Sequence, residues 1–267
     1  MSGLRKAAGP FAIAVCLSLL SATALLVAPL PRESPGRFRL ATFPKDTLWA
    51  WERPDDLRGI DRARFAVAYL AATIRLAGGL SVDGRRQPLL VPPGTVLISV
   101  VRIEAPAGSS DLGDPELPRK VAEIIAAARR LRNASAVQVD FDARRSQRAF
   151  YHNVLMDLRR RLPDSVPISV TALASWCAGD DWISKLPIEE AVPMYFRMGP
   201  DHPPAKHPGW SYPIREPLCG GAAGISTDEA WPRIDFRNRL YVFHPRSWNR
   251  VALENLVREM SHDQDPS

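Results

Sequence analysis

The chain has 267 residues, 46% of them hydrophobic and 24% charged, with a formal net charge of +6. This is enough apolar material for one large core, and no internal repeat or long low-complexity tract interrupts it. The arginines are spread out, in short runs at Arg129–Arg130, Arg144–Arg145 and Arg159–Arg161. Such runs read as solvated helix faces. Without a basic helix or an aromatic RNA-binding motif beside them, nucleic acid is not an expected partner.

Arg5 and Lys6 precede an apolar run from Phe11 to Ala28, and "SATA" offers a small-x-small site at Ala22 and Ala24. Residues 1–30 therefore read as a signal peptide, or as an uncleaved membrane anchor. Either places the rest outside the inner membrane, periplasmic or extracellular, touching the membrane only through this segment. Residues 31–45 read as a linker, 46–262 as the folded domain and 263–267 as a tail. Cys177 and Cys219 form an even pair in an oxidising compartment, which raises a disulfide as one possibility beside two buried thiols or a reactive cysteine.

Strand-like runs then alternate with helix-like ones. "LWAWE" (48–52), "RFAVAYLAA" (64–72) and the β-branched "TVLISVVRIE" (95–104) come first. A helix is predicted over 115–132, with Asp114 as cap, Pro115 at its first position and a stripe of Val121, Ile124, Ile125, Ala128 and Leu131. The strand "AVQVDFD" follows, then a helix over 146–162 stopped by Pro163. "PISVTAL", "EAVPMYFRM", "GAAGIS" and "LYVFH" supply four more strands, and a last helix is predicted over 248–260. Eight strands alternating with helices predict an α/β fold, a somewhat compact (β/α)8 TIM-like barrel. An open doubly wound sheet is the alternative, but the G-x-G-x-x-G of a dinucleotide site is missing. No cofactor and no metal are expected.

The fourth strand carries the chemistry. Alternation puts Val137, Val139 and Phe141 on one face and Gln138, Asp140 and Asp142 on the other. In a barrel the second face looks inward, where acids are costly unless paired, hydrated or used. Asp142 falls at the C-terminal end of the strand, where barrel active sites sit. An arginine such as Arg102 or Arg197 could equally hold these acids in a structural role. Other strand ends contribute Glu52, Glu104, Arg197 and His244, and Trp51, Trp176 and Trp248 offer aromatic faces suited to sugar rings.

Three long segments, "VQVDFDARRSQRAFYHNVLMDLRRRLP", "ISVTALASWCAGDDWISKLPIEEAVPMYFRMG" and "CGGAAGISTDEAW", resemble a bacterial family catalogued as domain of unknown function 3142, which implies little about activity. More distantly, "VDFDAR" resembles the strand motif D-x-x-D-x-D-x-E of the family 18 glycoside hydrolase barrels, while "MYF" departs from the M-x-Y of a later strand in that family. Asp140 and Asp142 match the last two aspartates of that pattern. Arg144 stands where its general-acid glutamate would be, and an arginine cannot donate a proton at useful pH.

Two functions follow as expectations. One is an exported glycoside hydrolase-like barrel acting on an envelope or extracellular polysaccharide, with Asp140, Asp142, Glu52 and Glu104 as candidate catalytic carboxylates. Trp51, Arg144, Trp176, Arg197, His244 and Trp248 would be its substrate-binding groups. The other is a non-catalytic barrel of the same shape that binds a glycan or a protein. Oligomeric state is not legible.

Overall fold

Eight strands become one closed parallel barrel, with the fourth strand's acids inside it. The computed structural model describes residues 35–198, 211, 213–233 and 239–263. The predicted export segment lies outside the described residues. The barrel strands are β1 (Asp46–Ala50), β2 (Phe65–Leu76), β3 (Leu97–Glu104), β4 (Ala136–Asp140), β5 (Ile168–Leu173), β6 (Glu190–Met194), β7 (Ala222–Ser226) and β8 (Arg239–Phe243). Each pairs in parallel with the next, and β1 pairs with both β2 and β8, which closes the sheet. This is the TIM-like barrel that the alternation of elements predicts.

The helices are α1 (Pro35–Ala41), α2 (Leu117–Leu131), α3 (Arg148–Arg161), the short α4 (Ala174–Gly179) and α5 (Arg250–Asp263). No helix follows β1 or β2. Instead β2 runs on into an antiparallel arm at Leu80–Gly84, and Asp55–Asp56 pairs with Leu89–Leu90.

Several boundaries differ from the sequence expectation, and three of the differences bear on the packing. Helix α2 starts at Leu117, because the Asp114 carboxylate accepts from the Glu116 amide (2.9 Å) in a turn before the helix. Its stripe ends early, since Leu131 is exposed at the last turn. Within the stretch predicted as a linker, the described part from Pro35 onward includes helix α1. Leu40 and Phe43 are buried as the barrel floor, where Arg239 donates to the carbonyls of Pro44 (2.8 Å) and Leu40.

Two apolar layers result. The outer one packs Val137, Val139 and Phe141 of the β4 segment against Tyr151, Val154 and Leu155 of α3. The inner one contains Trp49, Ala68, Leu70, Ile98, Val100 and Tyr241. Trp49 reaches across the barrel because Gly224 leaves room: a Cβ there would lie 3.0 Å from the indole.

The interior is also threaded by polar groups. Trp49 Nε1 donates to Gln138 Oε1 (2.7 Å), Gln138 Nε2 to Ser169 Oγ (3.2 Å), and Ser169 Oγ to Glu190 Oε2 (3.0 Å). Glu190 also accepts from Tyr241 Oη (2.7 Å) and Arg239 Nε (3.1 Å). Burial and the neighbouring carboxylate raise the Tyr241 hydroxyl well above its usual range, so it remains a donor. Every side chain in this chain of bonds is buried, and each link satisfies a group that would otherwise be costly.

Arg239→Met should therefore strand the Glu190 carboxylate in the barrel and cost about 3–5 kcal/mol. Urea denaturation at pH 7 measures this, and a loss under about 1 kcal/mol would contradict the network's role.

Candidate functional site

The C-terminal ends of the strands open into a cavity of about 500 Å³. Asp140 and Asp142 form part of its wall, as alternation along the fourth strand predicts. They differ sharply in environment. Asp140 is buried, and its carboxylate accepts from Thr171 Oγ1 (2.7 Å) and Arg102 Nη1 (2.9 Å). Arg102 comes from the register partner of Asp140 on β3, and its Nε donates to Glu104 (3.2 Å). The guanidinium thus bridges two carboxylates.

Asp142 lies just beyond the end of β4 and is exposed to the cavity. Among the described residues none donates a hydrogen bond to it. The surrounding protein still removes part of its hydration, which raises its pKa. The nearby Asp140 charge adds to the rise, and Arg102 opposes it. Of the two acids, one is locked and the other is available to a ligand.

The opposite wall is aromatic. Phe196 and Phe243 stack at 5.5 Å and 7°, and Trp51 meets Phe243 edge-on at 6.2 Å. Arg197 lies 5.0 Å from the Phe243 centroid and Arg53 5.9 Å from it. Arg197 has a φ of 51°, a left-handed backbone that is unfavourable for a side-chain-bearing residue. Its amide is held by the Glu229 carboxylate (3.2 Å) and its guanidinium by Asp228 (3.1 Å).

The other predicted residues do different work. Glu52 accepts the amides of Arg86 (2.9 Å) and Gln87 (3.0 Å), tying the loop after β1 to the arm. Arg85 completes that tie, donating to the carbonyls of Ala50 (3.1 Å) and Arg53 (2.7 Å) and pairing with Asp55 (3.1 Å). The two braces set Trp51 and Arg53 on the cavity. Glu104 is shared between Arg102 and Arg75 (3.1 Å). Neither glutamate lines the cavity.

Arg144 is exposed and also lies off the cavity; its backbone amide donates to Gln147 Oε1 (2.9 Å) and its carbonyl accepts from the Gln147 amide (2.8 Å). Trp176 is buried against Trp182 (4.9 Å), in the short helix that the disulfide Cys177–Cys219 ties down. Trp248 is buried and donates to the Trp49 carbonyl (2.8 Å). His244 is hydrogen-bonded to Thr227 (2.6 Å) and packed on Trp248 (4.9 Å). Desolvation, then the Arg246 charge, lower its pKa.

Of the predicted set, then, the cavity gathers Asp140, Asp142, Trp51 and Arg197. It adds Arg53, Arg102, Thr171, Phe196 and Phe243, which the sequence reading did not select as site residues. The signal for Phe243 lies in "LYVFH", where alternation sets it, and not His244, on the same face as the inward Tyr241.

No protein-family model matches the chain, and no curated protein is similar to it in sequence. The likeness to domain of unknown function 3142 therefore stays a resemblance. Among solved structures, the chain is similar to a GH18 chitinase from Pseudoalteromonas aurantia, with 10% identity over 81% of this chain and 99% of that one and a TM-score of 0.49. It is also similar to the spore cortex-lytic enzyme SleL of Bacillus megaterium, with 15% identity, 68% and 51% coverage and a TM-score of 0.43. The chain thus spans about half the length of SleL. A third is the phosphoribosyl anthranilate isomerase of Thermus thermophilus, at 12% identity, 82% and 98% coverage and a TM-score of 0.40.

The raised pKa of Asp142 has a definite sign. The folded chain holds that proton more tightly than the unfolded one, so the stability tied to it is present at low pH and is lost as pH rises through the folded value. Asp142→Asn should stabilise the fold at pH 7 by under about 1 kcal/mol, because the carboxyl touches water. The gain should vanish near pH 3, below the ordinary aspartate value of about 3.9. Denaturation of both proteins at the two pH values measures it; a pH-independent effect would contradict the assignment.

Proposed function

We propose that the barrel mouth is a glycan-binding site in a glycosidase-type barrel, and that it holds its sugar without cleaving it by a two-carboxylate mechanism. One observation carries this reading. Among the described residues, the only carboxyls lining the cavity are Asp140 and Asp142, side by side at the end of one strand. Hydrolysis by two acids requires them to flank the bond, about 5–5.5 Å apart for retention or roughly 6.5–9.5 Å for inversion. Neighbours on one wall do not flank a bond, and Asp140 is already engaged by Arg102 and Thr171.

What remains suits a sugar. Trp51, Phe196 and Phe243 offer ring faces and edges to the apolar side of a pyranose, and Asp142 can accept from its hydroxyls. The basic and then apolar N-terminus supports an exported location, and with it an envelope or extracellular polysaccharide as the ligand.

A second reading rests on Asp142 itself. A carboxyl with a raised pKa and no partner is the form that a general acid takes. The catalytic alternative therefore falls on this residue, with Asp140 and Arg102 setting its charge.

Calorimetric titration of the full chain against a panel of oligosaccharides, run beside a product-release assay, separates the two. The expected result is binding without release, weakened about tenfold in Phe243→Ala or Trp51→Ala. Release by the intact chain, abolished in Asp142→Asn, would overturn binding in favour of the acid.

A further inference from the structure

The cavity is polarised. Asp140 and Asp142 stand on its β4 side, while Arg53 and Arg197 converge on the aromatic side. Both guanidiniums lie within 6 Å of the centroid of the same ring, Phe243. Among the described residues both carboxylates at this end serve Arg197: Asp228 pairs with its guanidinium (3.1 Å) and Glu229 holds its amide (3.2 Å). Arg53 has no hydrogen bond or ion pair through its side chain among the described residues. Arg102, the third arginine on the cavity, is already shared by Asp140 and Glu104.

The protein sets this arrangement up at some cost. The backbone of Arg197 is left-handed, a conformation that persists only where the surroundings enforce it and that clusters at ligand clamps. Here the Glu229 carboxylate enforces it. Arg53 is set on the cavity by the brace of Arg85 and Glu52. An unpaired guanidinium lying against an aromatic face presents its donors edge-on to an anion while the ring shields one side. Carboxylates are the anions that this planar fork matches in two parallel hydrogen bonds.

From this we infer that the mouth carries an anion subsite, made by Arg53 with Arg197, and that the preferred glycan bears carboxylates, as a polyuronate does. The inference rests on the glycan reading above and narrows it. The uronate carboxylate docks on Arg53, its ring packs against Phe243, and Asp142 on the far wall accepts from hydroxyls of the adjoining sugar. A sulfate or phosphate ester would address the same guanidiniums.

The test is calorimetric titration of the full chain with four probes: tetragalacturonate, its methyl ester, a neutral chitotetraose and a sulfated disaccharide. The expected result is preference for tetragalacturonate over the methyl ester and the neutral tetramer, weakening as salt rises. That preference should fall about tenfold in Arg53→Gln and be only partly kept in Arg53→Lys, which retains the charge but not the planar fork, with unchanged thermal unfolding showing that both variants fold. Equal binding of charged and neutral probes, or a preference untouched by Arg53→Gln, would overturn the anion subsite and leave glycan binding standing. Tighter binding of the sulfated probe than of tetragalacturonate would overturn the carboxylate assignment. Binding of no probe would overturn both readings.

Discussion

The bond between Trp49 and Gln138 is the point on which the rest of the barrel turns. A closed ring of eight strands must fill its own interior, and most such barrels do so with branched apolar side chains. This one places an amide, a hydroxyl, a carboxylate and a guanidinium there. Those groups are tolerable only as a connected set, because each unpaired member would lose its hydration without compensation. Gln138 joins the β1 indole to the β5 hydroxyl, and Glu190 ties that hydroxyl to Tyr241 and Arg239 of β8, above the floor. The hydrogen bonds thus fix the side chains on both sides of the barrel, and with them the wall on which the next layer stands.

That next layer is the site. Two residues above Gln138 on the same strand face stands Asp140, and beyond it Asp142. Polarity along this face continues from structure into function, and one arginine draws the boundary between them. Arg102 bonds Asp140, which makes the lower acid part of the scaffold. It donates no hydrogen bond to Asp142, which meets the cavity without a hydrogen-bonding partner among the described residues. Across the mouth, the loop after β1 would be free to wander without a helix behind it. The antiparallel arm replaces that helix, and through Arg85 and Glu52 it gives Trp51 and Arg53 fixed positions.

Much of this was legible in the sequence, for a physical reason. Period-two alternation is a local property, so the eight strands, the inward face of Asp140 and the outward face of Phe141 could all be read from neighbours in the chain. What could not be read depends on register between strands. Arg102 meets Asp140 because β3 and β4 pair at those residues, and nothing in either segment alone states that offset. Glu52 looked like an acid at a strand end, but its partners are amides of an arm some 34 residues away. Trp176 and Trp248 were read as ring faces for sugar, since a tryptophan near a strand end has the same letter whether packed or exposed. Packing against Trp182 and the hydrogen bond to Trp49 decided both. The departure from the glycosidase pattern at Arg144 was visible as a missing acid. Its position off the cavity shows further that this arginine takes no place of its own in the mouth.

On the proposed function, an intact sugar lies across the mouth, between the aromatic wall and Asp142. A crystal structure of the full chain soaked with an oligosaccharide that binds in solution tests it most directly. The account predicts unbroken rings packed on Phe243 and Trp51, with a hydroxyl within hydrogen-bonding distance of Asp142 and Asp140 still held by Arg102. A ligand seated elsewhere, or cleaved fragments on either side of Asp142, would contradict it.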